Sequence, residues 1–430
     1  MNWEEIYSDK TVTAEEALSC IKDGDRVATG HAAGEPQYLL NILADKAENY
    51  KNVEVVHMVS LTESRYAQKI GHFRHNAIFA GAATRKLIKE GIADYTPSFF
   101  YEVPSLFEET LPLDVAIVQT SLPDEQGNVS LGVSVDYTLK AAQTAKKVII
   151  QINKYMPRTL GESFINLKDV DYIVKKDEPI LEIPIPKIGE VEKKIGEYCS
   201  KLINDGDTLQ LGIGAIPDAV LTFLGDKKNL GIHSEMISDG ILGLIEKGVI
   251  NNSKKQTFTG KSIVTFIMGS RKLYDYVDNN PDILFYPVDF VNHPVEIGKN
   301  DNLVSINSAI QIDLMGQVNA ESIGYNQFSG TGGQVDFIRG AAFSKNGRAI
   351  IVLPSTANKG TISRIVPILD EGSAVTTTRN DVDYVITEYG IAKLKGKTLK
   401  ERGKELIKIA HPDFREELYN KYKKKFNIID

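Results

Sequence analysis

The 430-residue sequence predicts two similar α/β domains with largely parallel sheets, related by internal duplication, with an active site between them. Two observations carry that prediction. The first is a repeat: residues 21–36, IKDGDRVATGHAAGEP, and residues 203–217, INDGDTLQLGIGAIP, share a plan. Both open Ile-x-Asp-Gly-Asp, run through a short apolar strand to a Gly loop, and end at a Pro that opens an apolar helix. Gly24, Asp25 and Gly30 align with Gly206, Asp207 and Gly212 at a constant offset, and one residue is gained before Pro36. Strand–turn–helix units are common, so coincidence is the bland alternative. The shared Asp-Gly-Asp turn and the aligned glycines favour duplication. The second observation is alternation: β-branched apolar runs recur between helical stretches, as parallel sheets require.

In chain order, strands are expected within 51–60 (KNVEVVHMVS), 113–119 (LDVAIVQ) and 147–153 (KVIIQIN), whose near-continuous apolar character suits burial on both faces. Residues 177–190, DEPILEIPIPKIGE, carry three prolines that interrupt regular structure. They mark the joint, with domains at 1–185 and 186–430. In the second half, strands are expected at 207–211, 230–233, 262–268, 282–286, 349–353 and 383–387, with helices at 217–224 and 240–247. Residues 398–426 read as helical with a break at Pro412.

Composition narrows the function classes. With 42% hydrophobic and 25% charged residues, the chain reads as an ordinary globular protein able to bury a core. A formal charge of −7 argues against nucleic acid as partner, since that needs a basic face. The dense basic run Lys421-Tyr422-Lys423-Lys424-Lys425 reads as the solvated face of a last helix. Cys20 and Cys199 are too few for a disulfide framework and fit a reducing compartment. No apolar segment approaches the roughly 18 residues of a membrane span, and the N-terminus MNWEEIYSDK lacks the pattern of a signal peptide. A cytoplasmic protein without membrane association is the expectation.

Three loops fall where ligands bind in open α/β sheets, beyond the carboxyl ends of strands. Gly212-Ile213-Gly214-Ala215-Ile216-Pro217 offers glycine backbone and a helix N-terminus to an anion. It lacks the Lys-Ser/Thr of a P-loop, and Pro217 replaces the third glycine of a dinucleotide fingerprint. A phosphate contact and a plain tight turn both remain open. Ser329-Gly330-Thr331-Gly332-Gly333-Gln334 packs three glycines into four residues, a nest suited to an oxyanion, anchored by Val335, Phe337 and Ile338. The bland alternative is a flexible surface loop. The stretch GIHSEMISDG, from Gly231, sets Glu235 before Met236 and Ile237. A lone acid there is more often a cap or ion-pair partner. A carboxylate, however, is ionised at neutral pH and can act as a nucleophile without a neighbouring base. No Gly-x-Ser-x-Gly elbow is present, neither Cys sits in a Gly-rich loop, and the seven His show no His-x-x-x-His spacing on a plausible helix, so no metal site is expected. His31 lies in the first domain's copy of the Gly loop and would reach toward Glu235 if the domains face each other; a loop His bonded to backbone is the plainer role.

Nearly the whole chain resembles the acetyl-CoA hydrolase/transferase family of CoA-transferases, which work through a glutamyl-CoA intermediate. The motifs are QLGIGAIPDAV from Gln210, LGIHSEMISDG from Leu230, PVDFVNHP from Pro287, INSAIQIDLMGQV from Ile306, SGTGGQVDFIRGA from Ser329, PSTANKGTISRIVP from Pro354 and ITEYG from Ile386. In the first half VPSLFEE, SLPDEQGNVSLGVSVDYT and GHAAGEP are similar too. The resemblance implies Glu235 as nucleophile, Asn292 as the residue orienting it, and Gly332 and Gly333 as backbone donors to the oxyanion. It implies CoA contacts at Gly212, Ile213, Gly214, Ala215, Ile216, Asn307, Gly330 and Lys359, and an acyl pocket that includes His31 and Gln210. It further implies acyl-CoA and short carboxylates, among them 4-hydroxybutyrate, butyrate and acetate, as substrates, no permanently bound cofactor or metal, and a homodimer.

The physics agrees. Exchanging one thioester for another is nearly thermoneutral and needs no nucleotide. The apolar Met236 and Ile237 suit a site that keeps water from reactive intermediates. Rivals are an acyl-CoA hydrolase on the same scaffold, a nicotinamide-dependent dehydrogenase suggested by the strands and Gly loops, and a non-catalytic CoA-binding sensor. The missing third glycine counts against the dehydrogenase, and the intact Glu235 with Gly332-Gly333 against the sensor.

Overall fold

The computed structural model describes residues 3–428. Its contacts divide the chain into two compact units that are not colinear with the sequence. Among the described residues, the first comprises 3–184, 263–291 and 327–332; the second comprises 185–262, 292–326 and 333–428.

The first unit is built on a seven-stranded sheet ordered Tyr172–Lys175, Lys147–Ile152, Val115–Thr120, Arg26–Thr29, Val53–His57, Phe73–Ala77, Asp94–Tyr95. Every neighbouring pair is parallel. Val115–Thr120 is buried at all six positions, which is why it carries no polar alternation. Helices Ala14–Leu18 and Gln37–Asp45 cover this sheet, with Leu18, Leu39, Leu43, Val27, Val53 and Ile117 in one core.

The second unit has a six-stranded sheet ordered Gly231–Ile232, Thr208–Leu211, Leu303–Ser308, Arg348–Val352, Tyr384–Thr387, Gly390–Lys393. All pairs are parallel except the last, an antiparallel edge. The expected largely parallel α/β class is borne out. Numbered along the chain, the first five strands lie in the order 2-1-3-4-5. The order reverses between Thr208–Leu211 and Leu303–Ser308, the place where such sheets open a ligand crevice.

The two Asp-Gly-Asp turns match bond for bond. Lys22 N donates to Asp25 Oδ2 at 2.8 Å and Asn204 N to Asp207 Oδ2 at 2.6 Å. Lys51 N donates to Asp23 Oδ1 and Lys228 N to Asp205 Oδ1, both at 2.8 Å. Gly24 and Gly206 each take φ +80°, which only glycine adopts readily.

Two expected strands of the second half lie outside its large sheet. Residues 262–268 form two short strands, Ser262–Val264 and Phe266–Ile267, broken at Thr265. Strand Ile283–Phe285 pairs with Leu160–Gly161. Residues 263–291, which hold nearly all of both segments, pack as part of the first unit. Residues 177–189 contain no helix or strand, as their prolines predict. The C-terminal helices are Leu399–Ile409 and Pro412–Phe426, divided at Pro412 as expected.

Candidate active site

In the second unit Glu235 follows strand Gly231–Ile232 at its carboxyl end. It is half-buried between buried neighbours, Ser234 and Met236. Ser234 pins the turn: its Oγ donates to Met236 O at 2.7 Å and reaches Leu211 O at 3.3 Å. Asn292 comes from the segment His-Pro ends a turn: His293 caps helix Pro294–Gly298 through Nδ1, and Pro294 takes the first helical position. Asn292, wholly buried, donates from Nδ2 to Glu235 Oε2 at 2.8 Å and to Asp336 Oδ2 at 3.2 Å. Gly333 is the N-cap of helix Gln334–Phe343. A Cβ built on it would overlap Glu235 Oε2 and lie 2.9 Å from Glu235 Cδ. The carboxylate therefore sits against bare backbone at a helix N-terminus, where the dipole favours negative charge.

At the strand-order reversal, Gln210 lies opposite Ser305. Ser305 Oγ donates to Gln210 Oε1 at 2.7 Å, and Asn307 Nδ2 donates to Gln210 Oε1 at 3.0 Å and Ser305 Oγ at 2.8 Å. Gln210 and Asn307, singled out for different roles, are thus one network. Immediately beyond it, Gly212 and Gly214 face open space, where an added Cβ would meet nothing within 4 Å. Ile213 is exposed, Ala215 half-buried and Ile216 buried at the start of helix Ala215–Thr222. That arrangement leaves room for a ligand to approach backbone. Lys359 is exposed on a separate hairpin, Thr356–Ala357 with Ile362–Ser363, at φ +57°.

In the first unit His31 follows strand Arg26–Thr29 and is 1% exposed. Its Nδ1 meets Asp136 Oδ2 at 3.0 Å, and Phe266 packs edge-on with ring centroids 4.7 Å apart. Burial pushes the Asp136 carboxyl up, but the His31 ring and hydrogen bonds from His31, Ser134 and Thr138 outweigh it and hold it low. His31 thus bonds a carboxylate rather than backbone, a partner the sequence reading did not name. Gly330 and Gly332 pack on Phe79; a Cβ on Gly330 would lie 3.0 Å from Ile78 O. Glu35, also buried, is pushed up to about 7 by burial, against hydrogen bonds from Thr62, Ser60 and Leu61 N. Among the described residues no group of three His, Cys, Asp or Glu could hold a metal ion, and no helix is long and apolar enough to cross a membrane.

Comparison with known proteins fits this geometry. Residues 1–184 match the acetyl-CoA hydrolase/transferase N-terminal domain, and 269–422 its C-terminal domain. The 4-hydroxybutyrate coenzyme A transferase of Clostridium kluyveri is 61% identical over 429 residues, covering 99% of this chain and 100% of that protein. The chain belongs to the acetyl-CoA hydrolase/transferase family. The butyryl-CoA:acetate CoA-transferase of Anaerostipes caccae is 36% identical over 435 residues, with 97% of each chain covered. Among solved structures, RipA from Yersinia pestis has a TM-score of 0.95 and 38% identity over 100% of both chains. A 4-hydroxybutyrate CoA-transferase from Porphyromonas gingivalis has a TM-score of 0.83 and 44% identity, covering 99% and 100%. The expected enzyme class, a CoA-transferase acting between acyl-CoA and carboxylate, is borne out by these relatives.

Of the residues expected at the family's site, Glu235, Asn292 and Gly333 are in contact, and Gln210 and Asn307 form a second group. Asp336, which shares Asn292 with Glu235, was missed, although it stands in the SGTGGQVDF motif four residues after Gly332. An acid in a first helical turn reads from sequence as ordinary helix chemistry.

Proposed function

We propose that this CoA-transferase moves CoA between an acyl-CoA and a short-chain carboxylate, 4-hydroxybutyrate or butyrate with acetate, by a ping-pong mechanism through Glu235. The Glu235 carboxylate attacks the thioester carbonyl; the oxyanion is received by the Gly332 and Gly333 amides, and CoA leaves as thiolate. The thiolate attacks the resulting acyl-glutamyl anhydride at the glutamyl carbon, releasing the first carboxylate and leaving a glutamyl-CoA thioester. The incoming carboxylate runs the sequence backward, restoring free Glu235 and forming the new acyl-CoA. The observation that carries this reading is the Glu235 carboxylate held by Asn292 Nδ2 at 2.8 Å directly against the backbone of Gly333.

CoA is assigned to the Gly212–Ile216 loop with Asn307, Gly330 and Lys359, and the acyl group to His31 and Gln210. Binding energy from the long CoA tail drives the covalent steps. CoA enters as substrate, with no permanently bound cofactor or metal; the enzyme is assigned to the cytoplasm as a homodimer. The matched bonds of the two Asp-Gly-Asp turns support internal duplication. The family-model boundary at 184 supports sequence domains 1–185 and 186–430.

The deciding experiment incubates enzyme with acyl-CoA donor alone and maps the adduct by mass spectrometry. Glu235 should carry CoA. Glu235→Ala should abolish transfer while CoA-ester binding survives, and Glu235→Asp should lose about 100-fold or more from a shift near 1 Å. An unmodified Glu235 during turnover would refute the mechanism. Donor loss at equal rate without acetate would make the enzyme a hydrolase.

A further inference from the structure

We infer that Asp336 is a positioning residue: it keeps the Asn292 amide turned so that an N–H, never the carbonyl, faces position 235 throughout the catalytic cycle. The inference rests on Glu235 being the nucleophile. Asn292 Nδ2 donates to two carboxylates, Glu235 Oε2 at 2.8 Å and Asp336 Oδ2 at 3.2 Å. An amide nitrogen carries two hydrogens, and both are thereby directed at anions. The other end of the group does not fix it: among the described residues no donor reaches Asn292 Oδ1. The two ends of a side-chain amide are nearly equal in size, so a half-turn exchanges oxygen for nitrogen at little steric cost. Only the charges of the neighbours distinguish the two orientations.

Glu235 cannot supply that distinction at every step. Once it is an anhydride or a glutamyl-CoA thioester its oxygen is neutral and accepts a weaker hydrogen bond. At that stage the glutamyl carbonyl most needs a donor, because the incoming carboxylate must attack it. Asp336 takes no part in the covalent steps, so its Oδ2 goes on accepting from Asn292 Nδ2. It is 1% exposed and lies in the first turn of helix Gln334–Phe343, where the dipole favours negative charge. The Asn292 donor is therefore held in place when Glu235 has lost its own hold on it.

Because ping-pong half-reactions can be measured separately, a variant isolates this role. D336N is close to isosteric and places an N–H within reach of Asn292 Oδ1, which permits the half-turn. Glutamyl-CoA enzyme would be formed with acyl-CoA, and its discharge to acetate followed by rapid quench and mass spectrometry. D336N should discharge roughly 10-fold or more slowly than wild type, as for loss of a partner that orients a functional group, with donor KM within about twofold. In a double-mutant cycle, N292A/D336N should discharge no more slowly than N292A, since Asp336 acts only through Asn292. A wild-type discharge rate in D336N, or penalties that multiply in the double variant, overturns the inference while the Glu235 adduct stands. No adduct at Glu235 in the wild type overturns the mechanism and this inference together. If D336N does not fold, D336S, which removes the carboxylate without added volume, is read in the same cycle.

Discussion

Gly333→Ala tests the core of the site because its effect can be worked from geometry. Gly333 lies at φ −91°, ψ 6°, within reach of any residue, so the methyl group brings no left-handed strain. It brings a clash instead. The new Cβ would overlap Glu235 Oε2 and Asn292 Nδ2 and sit 2.9 Å from Glu235 Cδ. Glu235 Oε2 would lie 1.7 Å from that Cβ, whereas real Cβ contacts keep to at least about 3.0 Å, so the carboxylate must withdraw by more than 1 Å. A displacement of about 1 Å costs about 100-fold. The Asn292 bond, now 2.8 Å, is disturbed as well, and loss of such a donor costs about 100-fold or more. Together kcat/KM should fall about 10²–10⁴-fold, roughly 3–5 kcal/mol. Stability should change by only about 1 kcal/mol, the usual scale for an N-cap substitution. The assay is steady-state transfer from acyl-CoA to acetate, with thermal unfolding as control. A folded G333A enzyme within threefold of wild type would refute the claim that Glu235 reacts against this stretch of backbone.

Gly212→Ala is the opposite case: its Cβ would meet nothing within 4 Å, so stability should hold within about 0.5 kcal/mol. If CoA lies along this loop, KM for acyl-CoA should rise about fivefold or more with kcat kept, by the loss of close backbone approach; an unchanged KM removes the loop from the CoA site. Glu35→Gln addresses pH. Burial raises the folded carboxyl from 4.5 to about 7, so between those values the folded chain holds a proton that the unfolded chain has released. The stability from this group is full below about pH 4.5 and is lost as pH rises through 7, a swing of roughly 3 kcal/mol at most. His75, lowered by burial to about 4, acts in the other direction between 4 and 6.5, so the readout is wild type minus E35Q in unfolding free energy from pH 5 to 8. A difference that does not change with pH contradicts the buried proton.

What was legible in the sequence follows a physical division. The repeat at 21–36 and 203–217 and the apolar runs located both large sheets, because strands buried on two faces leave a local compositional trace. Pro412 and the prolines of 177–190 marked the breaks for the same local reason. The 2-1-3-4-5 strand order was not legible, since pairing between distant strands is set by tertiary packing. The placement of 263–291 with the first unit was hidden likewise: 262–268 has the composition of a core strand, and only its break at Thr265 divides it into two short ones. In the site, the groups in Gly loops and at strand ends were visible, whereas their partners were not. Asp136 beneath His31, Ser305 between Gln210 and Asn307, and Asp336 behind Asn292 carry no local mark, because each is significant only for what reaches it from elsewhere in the chain.

The pairing of Glu235 with Asp336 also bears on the energetics of the proposed mechanism. Both carboxylates bond one nitrogen, at 2.8 and 3.2 Å, so the bonded oxygens are no more than about 6 Å apart. At an effective dielectric of about 20, two unit charges at that distance repel by roughly 3 kcal/mol. Asn292 and the N-terminus of helix Gln334–Phe343 offset that cost in the resting enzyme. In that mechanism acylation of Glu235 would discharge one member of the pair, so the repulsion would disappear in the covalent intermediates while Asp336 kept its hydrogen bond. The repulsion by itself raises the free carboxylate relative to the thioester that replaces it, while the stronger Asn292 bond to the charged form acts the other way. A site that only bound carboxylates would gain from neutralising its neighbour; one that must convert a carboxylate into an acyl group gains from keeping a second charge close by.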